Sequence, residues 1–182
     1  MRHLIHFFLL MAAICATGSI YTSCSEENDC SMTGRPMMNC SFYTIVPDTR
    51  TVRRDTLDSL TITAYGTDSV ILNNEKDVYS LLLPLRYTND TTIFVFHYNP
   101  AGQPNHVDTL YVIQENTPYF QSMECGYMMI QDILSIRTGR PGSNNQPDRI
   151  DSLNLRNQEA NANGIENLQI FYRYRDRTPV ID

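Results

Sequence analysis

The sequence lacks tryptophan and contains a single lysine, Lys76, among its 182 residues. Acidic residues outnumber basic ones by 20 to 14, and the formal net charge is −6. Proteins that bind nucleic acid generally present clustered lysine and arginine side chains on a basic surface. The acidic balance and the shortage of lysine therefore exclude nucleic acid as the expected partner.

The chain also lacks the motifs that carry the commonest enzyme chemistry. It has no glycine-rich phosphate loop, no Gly-x-Ser-x-Gly nucleophile turn and no calcium loop of the Asp-x-Asp-x-Asp-Gly type. His97 and His106 are the only histidines after residue 6, and no cysteine or carboxylate stands near them at metal-ligand spacing. We therefore expect a non-enzyme with no catalytic residues, no metal and no cofactor.

The first residues follow the order of a secretory signal peptide. Arg2 precedes an unbroken apolar run at residues 7–16, and small or polar residues lead to Ser23. Signal peptides have apolar runs of ~7–15 residues, whereas a helix that spans a bilayer needs ~20. A buried core helix is the alternative for this run. The order of residues predicts a lipoprotein signal peptide over residues 1–23.

Cys24 follows directly, where a bacterial lipobox has its lipidated cysteine. Ser23 is small, as that site requires, but Tyr21 stands where leucine or valine is usual, and Cys15 is a poorer candidate because a bulky residue precedes it. The acidic residues 25–29 resemble the export signal of Bacteroidetes surface lipoproteins, with a plain acidic linker as the alternative. Several acyl chains on Cys24, at ~0.8 kcal/mol per buried methylene, would anchor the chain firmly in a membrane.

This pattern predicts that the protein is lipid-anchored at the outer membrane or the cell surface. The periplasmic face of the membrane is the alternative location.

Three further cysteines, Cys30, Cys40 and Cys125, lie in the predicted mature chain. A disulfide is permitted outside the cytoplasm, and three thiols allow one bridge. Cys40 sits in an alternating run and is expected to be a small buried apolar residue. We predict a Cys30–Cys125 disulfide, which closes a loop of about a hundred residues and stabilises by ~4–5 kcal/mol in the chain-entropy model. A catalytic thiol is the rival interpretation.

Alternation of apolar and polar residues dominates the rest of the chain and predicts strands. Residues 24–38 are polar and are predicted to be a tether, and residues 39–182 form the folded domain. A helix is the alternative at residues 125–139, and Pro84 is expected to mark a strand end. The predicted strands cover residues 40–46, 59–65, 69–74, 78–85, 91–99, 108–116, 125–139, 150–157 and 166–175. Eight or nine short strands predict an all-β, antiparallel β-sandwich, immunoglobulin-like or similar.

A short pattern of Asp, then Ser or Thr, then usually an aliphatic residue recurs along the chain. The aspartate is expected to end a turn by bonding to the backbone before a strand begins. The pattern also resembles the O-glycosylation acceptor of Bacteroidetes secreted proteins. Both interpretations stay open, and the candidate acceptors are Thr56, Ser59, Ser69, Thr91, Thr109 and Ser152.

Several short motifs occur in a familiar order. They are "DC" after the lipobox, "LLLPL", "DTTIF", "DTLYV", "ECGY" and "ENLQIFY". Together they resemble a family of small uncharacterised Bacteroidetes lipoproteins, a domain of unknown function, over most of residues 28–175. The resemblance implies a lipid-anchored β domain with no known activity or catalytic residues.

We therefore expect a cell-envelope binding or structural module. It is held to the membrane by its N-terminal lipid, and an envelope protein or a glycan is its expected partner. One alternative is an envelope hydrolase that acts through paired carboxylates. A glycan-binding module is the other, and it requires Tyr43, Tyr65 or Tyr172 to be exposed side by side.

Overall fold

The computed structural model describes residues 36–67, 69–98, 106–123, 125–139, 149–160 and 163–173. Within these ranges the secondary structure consists of strands, and no helix there is long and apolar enough to cross a membrane. The all-β prediction is confirmed. The ten strands are β1 (Met38–Ile45), β2 (Val52–Arg54), β3 (Leu60–Ala64), β4 (Val70–Glu75), β5 (Ser80–Leu83), β6 (Thr91–Tyr98), β7 (His106–Ser122), β8 (Gly126–Gly139), β9 (Ile150–Leu155) and β10 (Leu168–Tyr172).

One sheet is antiparallel throughout and has the order β4-β3-β6-β7-β8. β6 lies in its centre, as predicted from the apolar residues on both of its faces. Phe94, Phe96 and Tyr98 point to the core, while Ile93 and Val95 lie on the opposite face. The region 125–139, for which a helix was the alternative, forms the edge strand β8.

The other sheet has the order β2-β1-β10-β9, and β5 pairs with the first half of β1 on the side where β2 pairs with the second half. β1 and β10 run parallel, from Cys40 opposite Leu168 to Thr44 opposite Tyr172. This pair differs from the predicted antiparallel arrangement. A parallel pair needs a long connection between its strands, and here most of the domain separates β1 from β10.

The inner faces of the two sheets pack into a single hydrophobic cluster, as a β-sandwich requires. Alternation along each strand provides the apolar face, and a T-shaped contact joins Tyr98 of one sheet to Tyr172 of the other, with ring centroids 6.0 Å apart. The largest fully buried side chains of the cluster are Tyr98, Phe42, Phe94, Phe96, Met38, Leu60, Ile62, Leu83, Leu110, Ile133, Leu168 and Ile170.

Several strand bounds differ from the predicted ones. β1 begins at Met38, which is fully buried, one residue before the predicted start of the domain. β5 covers only the middle of the predicted strand 78–85 and ends just before Pro84, as the missing backbone donor of proline demands. β2 was not predicted, because all three of its residues are exposed and leave no alternating pattern.

The largest difference lies in β7 and β8. β7 has 17 residues and β8 has 14, and they pair with each other as far as Ser122 opposite Gly126. β6 supports β7 only as far as Ile113. The two strands therefore continue past the sheet as a two-stranded ribbon.

Candidate interaction site at the β7–β8 hairpin

A buried network of polar side chains marks the place where the ribbon leaves the sandwich. The hydroxyl of Thr92 donates to the side-chain oxygen of Gln114 at 2.8 Å and accepts from the backbone N–H of Arg86 at 2.8 Å. The Gln114 amide donates in turn to the carbonyl of Arg86, and Gln131 donates to Asn116 at 2.9 Å. These bonds satisfy buried polar groups and fix the root of the ribbon.

Beyond this root, β7 and β8 form a strand ladder only with each other among the described strands. We call this part, residues 116–122 and 126–131, the hairpin arm. One face of the arm continues the core-facing side of the sheet and carries the pairs Asn116–Gln131, Pro118–Met129 and Phe120–Tyr127; the other face carries Thr117–Ile130 and Tyr119–Met128. At ~3.4 Å per residue, the arm extends about 20 Å past its root.

The end of the arm carries large apolar side chains in contact with solvent. Their exposed fractions are 37% for Tyr119, 52% for Phe120, 90% for Met123 and 75% for Tyr127. The rings of Phe120 and Tyr127 pack edge to face, with centroids 5.6 Å apart. We call these four residues the tip cluster. Tyrosine, phenylalanine and methionine grouped on an exposed projection are typical of an interaction site.

The turn at the end of the arm is compact. Gly126 has a positive φ of 70°, a conformation that glycine adopts without strain. The backbone N–H of Cys125 donates to the Ser122 hydroxyl at 3.0 Å. Cys125 lies at this end of the arm, and its predicted disulfide partner, Cys30, lies outside the described residues. The predicted bridge would tie the end of the arm to the N-terminal segment.

The first strand begins at the end of the sandwich from which the arm projects. The backbone N–H of Asn39 donates to the Asn167 side chain at 2.9 Å, and the Asn167 amide donates to the carbonyl of Glu159 at 2.6 Å. The next residue, Ala160, donates its N–H to the carbonyl of Gln131 at the root of the arm, at 3.0 Å. This chain of bonds places the start of β1 beside the root of the arm.

A second polar cluster lies between the sheets. The hydroxyl oxygens of Tyr98 and Tyr172 are 2.9 Å apart, and both side chains are buried. Burial raises the pKa of both hydroxyls above the usual value of tyrosine. Both hydroxyls stay protonated at neutral pH. The pair therefore links the two sheets by a hydrogen bond and does not act as an acid–base site.

The same cluster fixes the start of β9. The carboxylate of Asp108, which is buried in β7, accepts from the backbone N–H groups of Arg149 and Ile150, each at 3.1 Å. The Arg149 guanidinium lies 4.9 Å from the centre of the Tyr98 ring. Asp108 was predicted to end a turn ahead of its strand. It lies inside the strand instead, and its carboxylate binds the backbone of a different segment.

Glu166 does not fit the role of a general acid in glycoside hydrolysis. Glu166 accepts a hydrogen bond from the Tyr43 hydroxyl at 2.8 Å and another from Gln169 at 2.7 Å. Partial burial raises the pKa of Glu166, but hydrogen bonds from Ser41, Tyr43 and Gln169 outweigh it, and the pKa is lowered. A general acid needs the opposite shift, so Glu166 is suited to holding β1 and β10 together.

Of the four cysteines in the predicted mature chain, the structure describes Cys40 and Cys125. Cys24 and Cys30 lie outside the described residues, so lipidation and the Cys30–Cys125 pairing stay predictions. Cys40 is a free thiol and fully buried, as predicted. Burial raises the pKa of the Cys40 thiol far above its ordinary value. The thiol is therefore protonated and inert, which removes it as a catalytic nucleophile.

The candidate glycosylation residues differ in accessibility. Thr109 is fully buried on β7, and its hydroxyl has no hydrogen-bond partner among the described residues. The folded domain therefore cannot present Thr109 to a glycosyltransferase, which corrects that candidate. Ser69 and Ser152 are exposed, and the half-buried candidates are Thr56, Ser59 and Thr91.

The three tyrosines proposed for glycan stacking do not form a platform. Tyr172 is buried in the core, so it cannot face a ligand. Tyr43 is half-buried in one sheet and packs against Phe171, whereas Tyr65 is exposed just after β3 of the other sheet. The alternation of β10 places Tyr172 on the inner face, and this arrangement corrects the glycan-binding alternative.

The two histidines also lie apart. Tyr98 pairs with His106 and His97 pairs with Val107, so the histidines occupy opposite faces of the sheet. His97 bonds to the Thr63 hydroxyl at 3.2 Å, and burial lowers its pKa. Over the ranges that the structure describes, no group of three or more His, Cys, Asp or Glu residues could hold a metal ion.

Sequence reasoning missed the hairpin arm. The stretch 117–122 contains Pro118 and no regular alternation, so the prediction ended the strand at residue 116. A signal was nevertheless present: between residues 116 and 131 the only charged residue is Glu124, while four aromatic or methionine residues lie between residues 119 and 127 and two more methionines follow Tyr127 directly. An uncharged aromatic stretch of this kind is unusual for a solvated loop.

Comparison with known proteins gives a single match. A family model described as a family of unknown function, DUF6452, matches residues 59–172, which are 114 of the 182 residues. The matched span runs from the residue before β3 to the last residue of β10 and includes the hairpin arm. No curated protein matches, and no solved structure matches. The immunoglobulin-like part of the fold prediction therefore stays a prediction.

Proposed function

This chain belongs to the DUF6452 family of unknown function, and from that premise we propose that it is a lipid-anchored β-sandwich lipoprotein of the cell envelope that serves as a binding or structural module. The proposed lipid anchor is Cys24, and the proposed location is the outer membrane or the cell surface of a Bacteroidetes bacterium. The proposed binding surface is the tip cluster of the hairpin arm.

The exposed tip cluster is the observation that favours a binding role over catalysis. Between the sheets, the hydroxyls of Tyr98 and Tyr172 bond to each other and the Asp108 carboxylate binds backbone N–H groups, so these ionisable groups serve the fold. The arm, by contrast, projects apolar side chains that nothing among the described residues covers. An exposed apolar group on a rigid support is suited to binding another surface.

The N-terminal sequence supports the anchor. A basic start, a short apolar run and the small Ser23 precede Cys24, as in bacterial lipoproteins. Eleven residues separate Cys24 from Pro36, where the described structure begins. This length is enough for a tether between a bilayer and the sandwich.

Fractionation of cells that express the Cys24→Ala chain tests the proposal. We expect the variant to leave the membrane fraction or to accumulate as an unprocessed precursor, because the acylated sulfur is lost. Cys15→Ala is the matched control and is expected to fractionate with membranes at mature size. A Cys24→Ala chain of mature size that stays with membranes would contradict the proposed anchor.

A further inference from the structure

We propose that the tip cluster of the hairpin arm docks on the lipid–water interface of the same membrane that holds the acyl chains of Cys24. The inference rests on the proposed lipid anchor and adds a second contact between the protein and the bilayer. The chemistry of the tip, the direction of the arm and the length of the tether carry it.

The tip has the composition of an interfacial segment. Tyr119 and Tyr127 combine an apolar ring with a polar hydroxyl, and Phe120 and Met123 add apolar surface. Aromatic side chains with a polar end are favoured at the boundary between lipid tails and water. Glu124 is the only charged residue between 116 and 131. The matching surface is therefore zwitterionic lipid, which presents no net charge.

The arm points to the side from which the tether leaves. Hydrogen bonds from Asn39 through Asn167 to Glu159, and from Ala160 to Gln131, place the start of β1 at the root of the arm. The twelve residue-to-residue steps from Cys24 to Pro36 span at most about 40 Å. The arm extends about 20 Å past its root, so an anchor at Cys24 leaves the tip within reach of the same bilayer.

The predicted Cys30–Cys125 disulfide would strengthen this geometry. With Cys30 as the partner of Cys125, as the sequence predicts, only five residues separate the bridge from Cys24. The six residue-to-residue steps from Cys24 to Cys30 span at most about 21 Å, and the disulfide adds about 6 Å between Cα atoms. The tip would then be confined close to the acylated cysteine, and its apolar side chains would meet the bilayer before any distant surface.

The tether itself is a poor cover for the tip. Met32 is the only large apolar residue between residues 24 and 35, and the other residues there are mostly polar or acidic. Such a segment cannot bury the rings of Phe120 and Tyr127 against apolar side chains of its own. A bilayer offers the apolar partner that the tether lacks.

The absence of tryptophan from the chain provides a specific probe. Phe120→Trp in the full, acylated chain places a single indole in the tip cluster. The variant is reconstituted on phosphatidylcholine vesicles with and without lipids brominated on their acyl chains. We expect the brominated lipid to remove most of the tryptophan emission and the emission to shift to the blue, because the indole lies among the acyl chains.

Val52→Trp is the matched control. Val52 is 56% exposed, close to the 52% of Phe120, and it pairs with Ile45 at the end of β1 that lies away from the arm. Its emission is expected to be unaffected by bromine. Tyr127→Trp, on the same face as Phe120, provides a second tip probe should Phe120→Trp not fold, as judged by circular dichroism.

The experiment distinguishes a failure of the proposed docking from a failure of the proposed lipid anchor. If the chain floats with vesicles but tip and control tryptophans are quenched equally little, the anchor stands and bilayer docking is overturned; a second copy or a protein partner would then occupy the tip. If the chain carries no acyl group by mass and does not float, both the anchor and the docking are overturned.

Discussion

At the scale of single residues, two buried threonines in neighbouring strands have opposite hydrogen-bond environments. Thr92 donates to Gln114 and accepts from the backbone of Arg86. Thr109 is equally buried, faces Val95 across the pair of strands, and has no partner for its hydroxyl among the described residues. The same substitution should therefore have opposite effects at the two positions.

Thr92→Val is expected to lower the free energy of unfolding by about 2 kcal/mol, because it leaves Gln114 and a buried backbone N–H without a partner. Thr109→Val is expected to raise it by about 1 kcal/mol, because valine keeps the shape and removes an unsatisfied hydroxyl. Urea unfolding followed by circular dichroism measures both. Destabilisation by Thr109→Val would show that its hydroxyl is satisfied.

His97 gives the stability a dependence on pH. Burial lowers the pKa of His97 below its ordinary 6.5, so the unfolded chain binds more protons than the folded one just below that pH. The contribution of neutral His97 to the free energy of unfolding is fully present above pH 6.5. It decreases as the pH falls through the lower pKa that His97 has in the folded state.

His97→Gln removes this titration while it keeps a side chain that can bond to Thr63. We expect the decline in unfolding free energy between about pH 7 and pH 5 to be shallower in His97→Gln than in the parent chain. Urea titrations at a series of pH values measure the slope. An identical slope in the two chains would contradict the role of His97.

At the scale of elements, Asn167 connects the start of β1 with the segment between β9 and β10. The side chain is fully buried, accepts from the N–H of Asn39, and donates to the carbonyls of Asn157 and Glu159. Three backbone groups thus depend on a single amide. Where the sheet ends, the hydrogen bonds of the Asn167 side chain replace the backbone hydrogen bonds that paired strands would form.

Asn167→Ala is expected to lower the free energy of unfolding by about 3 kcal/mol, because it leaves these backbone groups without their partner. Asn154→Ala is the matched control: the exposed Asn154 amide donates only to Gln169 among its described bonds, and we expect a loss of at most about 0.5 kcal/mol. Thermal unfolding of both variants measures the difference. Equal losses would contradict the connecting role of Asn167.

The sequence predicts those strands that have one apolar face and one more polar face. Leu168, Ile170 and Tyr172 alternate with partly exposed residues, so β10 and its inner face were predictable. β2 was not, because its exposed residues show no alternation. The parallel pairing of β1 with β10 was also not predictable, since register between distant strands is set by tertiary packing and not by local pattern.

Local sequence pattern is also insufficient to predict the candidate site. The apolar residues of the tip are visible in the sequence, but their exposure depends on how far β7 and β8 continue past the sheet. The glycan-binding alternative required Tyr43, Tyr65 or Tyr172 to be exposed side by side, yet which strand face is covered is decided by the stacking of the sheets. Local pattern therefore predicts strands better than it predicts surfaces.

At the scale of the whole molecule, the N-terminal segment and the hairpin arm are predicted to be joined through Cys125. A proteolytic digest made without reductant should contain a peptide in which Cys30 is linked to Cys125, and reductant should abolish it. Cys40 should appear only as a free thiol, because it is buried. Mass spectrometry identifies the linked peptides, and a Cys125 linked to any other cysteine would contradict the pairing.

The molecule thus has a sandwich body, an arm with an apolar tip, and a proposed lipid anchor on the side of the arm. Its described interior is a single apolar core with a few buried polar side chains. The end of the arm carries the most exposed large apolar side chains, Met123 and Tyr127, while other exposed apolar residues are spread over the sandwich. Attachment to a membrane is the claim on which the proposed location, the binding role and the docking of the tip all depend.

Intact-mass analysis of the protein extracted from the membranes of its expressing cells tests this claim most directly. We predict the mass of residues 24–182 plus a diacylglyceryl group and any further acyl chain, with the modification assigned to Cys24 by fragmentation. A chain that retains residues 1–23, or that begins at Cys24 with an unmodified thiol, would contradict the account.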